Sequence, residues 1–452
     1  MGGDMLSAMK YISTVPFSGL FNWDVKIILG DNIITSKKHP MKPFSYFTRP
    51  ANIQKVKIED EQEYKIIGVR SYGLGAYKNR ITKGKYLKMK VYQQAKLNHL
   101  FWCKVDTKNG AFGIITQELS DGIASSNMMF AELDLSRINP DYLQLLFRCP
   151  KINTYMDSMV TGTTNRKYIR FSDLLNNVKV PVPSLEEQNE LVEEYNKAIT
   201  KIVDKENTIN TLKKSIDRYI CDVLGYNAIK TNTNKIKRLL STYHYKDLGR
   251  WDIFNLNYEV QSEVYPTTIL KDIVVAKPKY GASYKTIHKV SDVRYIRITD
   301  INEDGTLNED IVSADRYDNQ YLLQDGDFLI ARSGNTVGKT FLYQSDIGKA
   351  IYAGYLIKFV LNPDLINPKY LLFYTKSSIY KRWINSNMRV SAQPNINSEQ
   401  YLFSPIIVPE MEVQDRIVKH IESIIKRIHE LAKSSKNDER TALRNFETQI
   451  FE

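Results

Sequence analysis

Residues 182–188 read VPSLEEQ, and residues 408–414 read VPEMEVQ. The two stretches lie 226 positions apart, and each opens a long segment free of proline and glycine. Other landmarks recur in the same order. Trp23-Asp24 returns as Trp251-Asp252, and Ile138-Asn139-Pro140 as Ile366-Asn367-Pro368, each 228 positions later. Three landmarks in one order at nearly one spacing indicate a tandem duplication, the kind of internal repeat to be sought before any local reading.

Each half then has two parts. The first is a mixed region in which short apolar runs such as EYKIIGVRSY (63–72) and VRYIRITDI (293–301) read as strands between Gly, Asp and Asn turns. The second is a long helix. In the first copy Tyr195, Ile199, Ile202, Ile209, Ile216, Ile220 and Val223 follow alternating steps of three and four, interrupted by Glu206 and Lys213. In the second copy Ile417, Ile421, Ile424, Ile428 and Leu431 keep an unbroken register. That pattern is a heptad seam. The expected fold class is therefore α+β: two tandem mixed α/β domains, each followed by a long helix, with the two helices pairing as an antiparallel coiled coil. About forty residues of helix span about 60 Å, so such a pair would hold the mixed domains at opposite ends of a rod. The expected boundaries are 1–183 and 247–409 for the domains, 184–226 and 410–452 for the helices, and 227–246 for a polar, basic linker.

ARSGNTVGKT (331–340) looks at first like a nucleotide-binding loop. A Walker loop needs four residues between its glycines, a strand before it and a helix after it. Here three residues separate Gly334 from Gly338, and the following TFLYQ (340–344) reads as a strand. The expectation is a strand–loop–strand element with a basic, Gly-rich tip. Asn139-Pro140-Asp141-Tyr142 and Asn367-Pro368-Lys369-Tyr370 come near the Asn-Pro-Pro-Tyr motif of amino-methyltransferases, but both lack its second proline. Asn as N-cap with Pro at the first helical position explains both. No nucleophile–base pair or carboxylate pair stands out, so no catalytic residue and no cofactor is expected.

Three scattered cysteines, Cys103, Cys149 and Cys221, and six histidines without paired spacing point to neither a disulfide scaffold nor a metal site, and suit a reducing cytoplasm. No apolar run is long enough for a bilayer. The net charge is +12 and the pI near 9.2, a surplus that suggests a polyanionic partner such as double-stranded DNA. KNGAFGI (108–114) occupies in the first half the place of GNTVGKT in the second, and TGTTNRKYIR (161–170) matches RVSAQPNIN (389–397). These loops are rich in residue types that bond base edges and phosphates. The candidate readers are Arg70, Lys108, Asn109, Thr163, Asn165 and Arg166 in the first domain. In the second they are Arg297, Ser333, Asn335, Lys339, Gln393 and Asn395.

With the repeated Trp-Asp, the GAFG, GTTNR and GNTVGK loops, AQPNI (392–396) and the two P-x-x-x-x-Q helix starts at Pro183–Gln188 and Pro409–Gln414, the whole chain resembles the specificity subunit of a Type I restriction–modification system. The resemblance implies two target recognition domains and a coiled coil acting as a ruler. It implies a split DNA site, two short sequences with an unread gap. It also implies methylation subunits that carry S-adenosylmethionine and restriction subunits that carry ATPase and nuclease. Alternatives are a specificity subunit of a methylation-only or single-chain system and, more distantly, a basic coiled-coil scaffold.

Overall fold

The computed structural model describes residues 34–104, 107–158, 169, 171–226, 260, 262–288, 292–388 and 394–452. Both Trp-Asp landmarks and the 227–246 linker lie outside them. The chain divides into two units, one made of residues 1–205 and 433–452, the other of residues 206–432. The division passes through both long helices.

The first unit is built on two sheets. One has four antiparallel strands in the order Thr48–Pro50, Met128–Leu133, His99–Cys103, Phe112–Ile114. The other has five, in the order Lys55–Lys57, Val91–Gln94, Ile123–Ala124, Glu63–Val69, Ala76–Lys83. In the second unit the four-stranded sheet runs Lys279–Tyr280, Leu356–Phe359, Phe328–Ala331, Thr340–Leu342. Its last three strands occupy the positions of Met128–Leu133, His99–Cys103 and Phe112–Ile114. A short antiparallel pair closes each domain, Met41–Pro43 with Lys179–Pro181 and Thr267–Ile269 with Pro405–Ile407. The duplication read from three landmarks is thus a duplication of topology.

The landmarks have structural work. Asn139 caps the helix Pro140–Arg148, its side-chain oxygen accepting from the amides of Asp141 and Tyr142; Asn367 caps Pro368–Tyr374 in the same way. Gln188 is fully buried. Its carboxamide accepts from the Asn139 amide at 2.7 Å and donates to the carbonyls of Arg137 (3.1 Å) and Pro183 (3.0 Å). Gln414 repeats this with the Asn367 amide (2.8 Å), Leu365 (3.0 Å) and Pro409 (2.9 Å). The tyrosine after each Asn-Pro donates to the closing strand, Tyr142 to the Pro181 carbonyl and Tyr370 to that of Ile407. Each glutamine therefore ties the first turn of a long helix to the cap of a domain helix, satisfying backbone groups that burial would otherwise strand.

The long helices run Leu185–Val223 and Met411–Phe451. Within the first unit Glu194 meets Gln449 and Lys205 meets Ser434 and Asp438, so the paired segments are antiparallel. Leu191, Val192 and Tyr195 share a core there with Ala442, Phe446 and Ile450. Within the second unit Ile220 packs with Ile417 and Ile421, and the Tyr219 and His420 rings lie 4.0 Å apart. The interruption at Glu206 and Lys213 is bypassed. Both side chains are exposed, and Lys205, Ile209, Leu212 and Ile216 form the half-buried stripe instead. The seam slips by one residue and the aliphatic part of Lys205 fills a seam position.

In each unit a serine near the start of the domain caps a long helix. Ser36 Oγ donates to the Ile450 carbonyl and Ser262 Oγ to that of Leu224, both at 2.6 Å. The amides two and three residues on donate back to the same oxygen. This satisfies one of the carbonyls that every helix C-terminus leaves open.

Candidate nucleic-acid interface

In the second unit the strand Phe328–Ala331 leads into the Gly-rich loop and Thr340–Leu342 leads out, with Ile330 opposite Thr340. The loop is strand–loop–strand, as its sequence indicates. Its tip is a single 3-10 turn, Gly334–Thr336. The Thr340 hydroxyl, which a nucleotide loop would turn toward phosphate, is buried against the Thr375 hydroxyl at 2.7 Å. Gly338 has φ +83° and its amide donates to the Ala331 carbonyl and the Tyr401 hydroxyl. A Cβ there would come 2.8 Å from the Ile384 side chain, so conformation and space both call for glycine.

The two loops picked out separately in this half meet. The Gly334 amide donates to the Pro394 carbonyl at 2.9 Å and the Ile396 amide to the Arg332 carbonyl at 3.0 Å, forming a bridge between Ser333 and Asn395. Asn335 and Asn395 are exposed on this paired platform. Ser333 is buried within it and serves the pairing rather than the surface. Lys339 Nζ donates to the Ile301 carbonyl (3.3 Å) and pairs with Glu303 (3.0 Å), a carboxylate that is 77% exposed. The lysine thus rests on the turn that follows the strand Arg294–Ile296.

Arg297 has a different task from the one its sequence context suggests. Its guanidinium grips the fully buried Asp300 with Nε and Nη2 and reaches Asp310 at 3.4 Å. Donating to the Asp300 carboxylate raises its pKa above the ordinary guanidinium value. It anchors the turn from within.

A cavity of about 390 Å³ opens beside the loop, with Gly334, Asn335, Gly338, Lys339, Lys376 and Lys381 among its walls. Lys376 Nζ donates to the Thr340 carbonyl at 2.9 Å. Burial pushes its pKa down to about 7, against the opposing pull of Asp304 and Glu303 and with the help of Lys381 and Lys339. Sequence reasoning missed this lysine because nothing in KYLLFYTKSS (369–378) marks it as neighbour to the loop. It also missed Arg332, whose guanidinium lies 5.0 Å from the Tyr280 ring centre, although both residues flank the platform.

The first unit assembles the corresponding loops with other side chains. The turn 70–75 joins the strands Glu63–Val69 and Ala76–Lys83. Its Tyr72 amide donates to the Asn109 carbonyl (2.6 Å) and its Gly73 amide to that of Gly110 (2.8 Å). Arg70 is exposed, its guanidinium 4.7 Å from the Tyr77 ring centre. Lys108 and Asn109 lie in the 3-10 turn Thr107–Asn109. Ile169 is placed beside the same turn, its amide donating to Thr107 Oγ1 at 3.1 Å. Arg70, Lys108 and Asn109 are therefore brought together, and so are Asn335, Lys339 and Asn395. Thr163, Asn165, Arg166 and Gln393 lie outside the described residues.

The surroundings differ in charge. Residues 76–90 of the first unit carry six basic residues and no acidic one. Residues 299–320 of the second, which begin within the turn after the strand Arg294–Ile296, carry seven acidic residues and one arginine. Lys83 and Lys85 pair with Glu61, and Lys90 with Asp60, while Lys78, Arg80 and Lys88 are exposed without a carboxylate partner among the described residues. The described residues contain no cluster of His, Cys, Asp and Glu suited to a metal ion, and no helix among them is long and apolar enough to cross a membrane.

Residues 266–439 match the family described as Type I restriction modification DNA specificity domain. The chain is 23% identical over 318 residues to the Type I restriction enzyme MjaVIII specificity subunit of Methanocaldococcus jannaschii, covering 67% of each chain. It is 27% identical over 128 residues to the EcoEI specificity subunit of Escherichia coli, spanning 27% of this chain and 22% of that one. In fold it is similar to a chain from a solved structure of the type I R-M system, with a TM-score of 0.57, 12% identity, and 92% of this chain and 99% of that one covered.

Proposed function

We propose that this chain, which belongs to the specificity subunits of Type I restriction–modification systems, reads a two-part DNA sequence and performs no chemistry itself. The observation that carries the reading is the loop platform built twice. Each unit brings its turn and its Gly-rich loop together, through the Tyr72 and Gly73 amides on the Asn109 and Gly110 carbonyls in one and through Lys339 on the Ile301 carbonyl in the other, yet the residue types differ: Arg70, Lys108 and Asn109 in the first, Asn335, Lys339 and Asn395 in the second. Two sites of one design with different side chains suit two different half-sequences. Thr163, Asn165, Arg166 and Gln393, on the loops adjoining these platforms in sequence, complete the proposed reading set.

Phosphate contacts from the basic surplus would supply salt-dependent affinity, and the loop side chains the discrimination. The helices, at 39 and 41 residues, would set the unread gap. Methylation subunits holding S-adenosylmethionine and restriction subunits holding ATPase and nuclease are the proposed partners, in the cytoplasm. Filter binding of the full chain with its methylation partner, titrated with salt and with random-sequence competitor, tests this. The expected result is a log affinity that falls linearly with log salt, together with a small set of duplexes that resist competitor. Equal displacement from every duplex would refute sequence reading and leave a basic scaffold.

A further inference from the structure

Tyr72 stands out from every other described residue. Its φ is +58°, in the left-handed region, where the only other non-glycine among the described residues is Asn98. Asparagine tolerates that region, whereas a bulky side chain there is a genuine outlier. The residue is also 65% exposed, and Leu74, two residues on, is 56% exposed. A strained backbone thus holds two large apolar side chains out in water.

The tip that carries them is held firmly. The Tyr72 and Gly73 amides donate to the Asn109 and Gly110 carbonyls. Gln144 Nε2 donates to the Gly73 carbonyl at 2.7 Å, while Gln144 Oε1 accepts from the Ile114 amide at 3.0 Å. A Cβ on Gly73 would lie 2.1 Å from the Phe147 carbonyl oxygen, so the turn is pressed onto the helix Pro140–Arg148. Strain persists only where surrounding structure over-determines it, and it gathers at functional sites. Here the surroundings fix the backbone, and the product of the strain is the exposed ring.

Building on the DNA-reading function above, we propose that Tyr72 and Leu74 form a preformed apolar contact that reads thymine methyl groups in the major groove of one half-site. A tyrosine hydroxyl can bond a phosphate, but Leu74 beside it offers apolar surface alone, and the two exposed together match an apolar target. The thymine C5-methyl is the apolar feature that a base pair shows in that groove. The tip shares its turn with Arg70 and is hydrogen-bonded to the loop bearing Lys108 and Asn109, which makes it continuous with the proposed reading surface. The corresponding turn of the second unit is polar, organised by Arg297 and the buried Asp300, so the contact belongs to one half-site only.

The test uses the full chain with its methylation partner and duplexes of the motif it directs, each thymine replaced singly by deoxyuridine to remove only the methyl. The wild-type chain should lose affinity several-fold at one or more positions, all in one half of the motif. Tyr72→Ala and Leu74→Ala should bind the thymine duplex several-fold more weakly and lose nothing further on deoxyuridine. Tyr72→Gly relieves the left-handed strain, so its Tm should match or exceed that of the wild type while its DNA affinity falls; a purely structural role would lower Tm. Several results overturn the inference: wild-type indifference to every methyl, a motif half without thymine on either strand, or variants that discriminate like the wild type. Loss of the methylation partner with discrimination intact would assign the tip to a protein contact instead. A chain that directs no motif overturns the functional reading and this inference with it.

Discussion

Gln414→Ala should destabilise the second unit by about 3–5 kcal/mol. The carboxamide is fully buried and makes three hydrogen bonds, accepting from the Asn367 amide and donating to the Leu365 and Pro409 carbonyls. Alanine removes all three partners at once. A buried donor or acceptor left unsatisfied costs about 1–3 kcal/mol. The two carbonyls keep a second lone pair for other donors, which places the sum near the lower half of the range. Against a typical domain stability of about 5–15 kcal/mol, that loss decides whether the unit stays folded. Gln414→Glu sharpens the test. It keeps the acceptor for Asn367 but points a carboxylate at two carbonyl oxygens, which raises its pKa in the folded state. A group with a raised folded pKa contributes stability below its unfolded pKa and loses it as pH rises, so this variant should recover as pH falls toward 4. Urea titration of the full chain by circular dichroism gives the magnitude, and hydrogen exchange over 365–374 localises it. A Gln414→Ala variant within about 0.5 kcal/mol of the wild type, with unchanged exchange, would refute the clamp. Gln188→Ala should repeat the effect over 137–146.

Lys339→Ala should weaken DNA binding and reduce the salt slope by about 0.9, the share of one phosphate contact, because its partner Glu303 is exposed enough to yield to phosphate; measurable ATP binding lost in the variant would contradict this. Arg297→Ala should act on stability, by about 3–5 kcal/mol, since it leaves buried Asp300 without its guanidinium, and a variant of wild-type stability with altered base preference would return Arg297 to the readers. With a folded pKa of about 7, depressed below the unfolded lysine value, Lys376 gives a stability that rises between pH 7 and about 10.4. DNA affinity should rise as pH falls from 8 to 6, when Lys376 charges among Lys339, Lys381, Glu303 and Asp304; Lys376→Met should flatten both profiles, which stability and binding curves across pH would show.

The repeat and the helix pair were legible because both rest on patterns that survive in one dimension. Asn-Pro marks a capped helix start, and a heptad seam marks a partner. The seam's detour through Lys205 and Leu212 was not legible, since a lysine at a seam position shows only when its partners Ser434 and Asp438 are known. The loops announced themselves by composition, and their pairing across Ser333 and Asn395 follows from topology that composition does not contain. Arg297 misled for a simple reason. Arginine suits a carboxylate as well as guanine, and only the fold reveals that Asp300 is buried against it. Tyr72 escaped because φ is not written in sequence, although two glycines around Leu74 hint at a constrained turn.

The most direct measurement of the central claim is a map of adenine methylation across the genome of a host expressing this chain, with and without its methylation partner. The expected result is a partner-dependent motif in two parts separated by a gap of constant length. An active partner that leaves no such motif in the presence of this chain would contradict it.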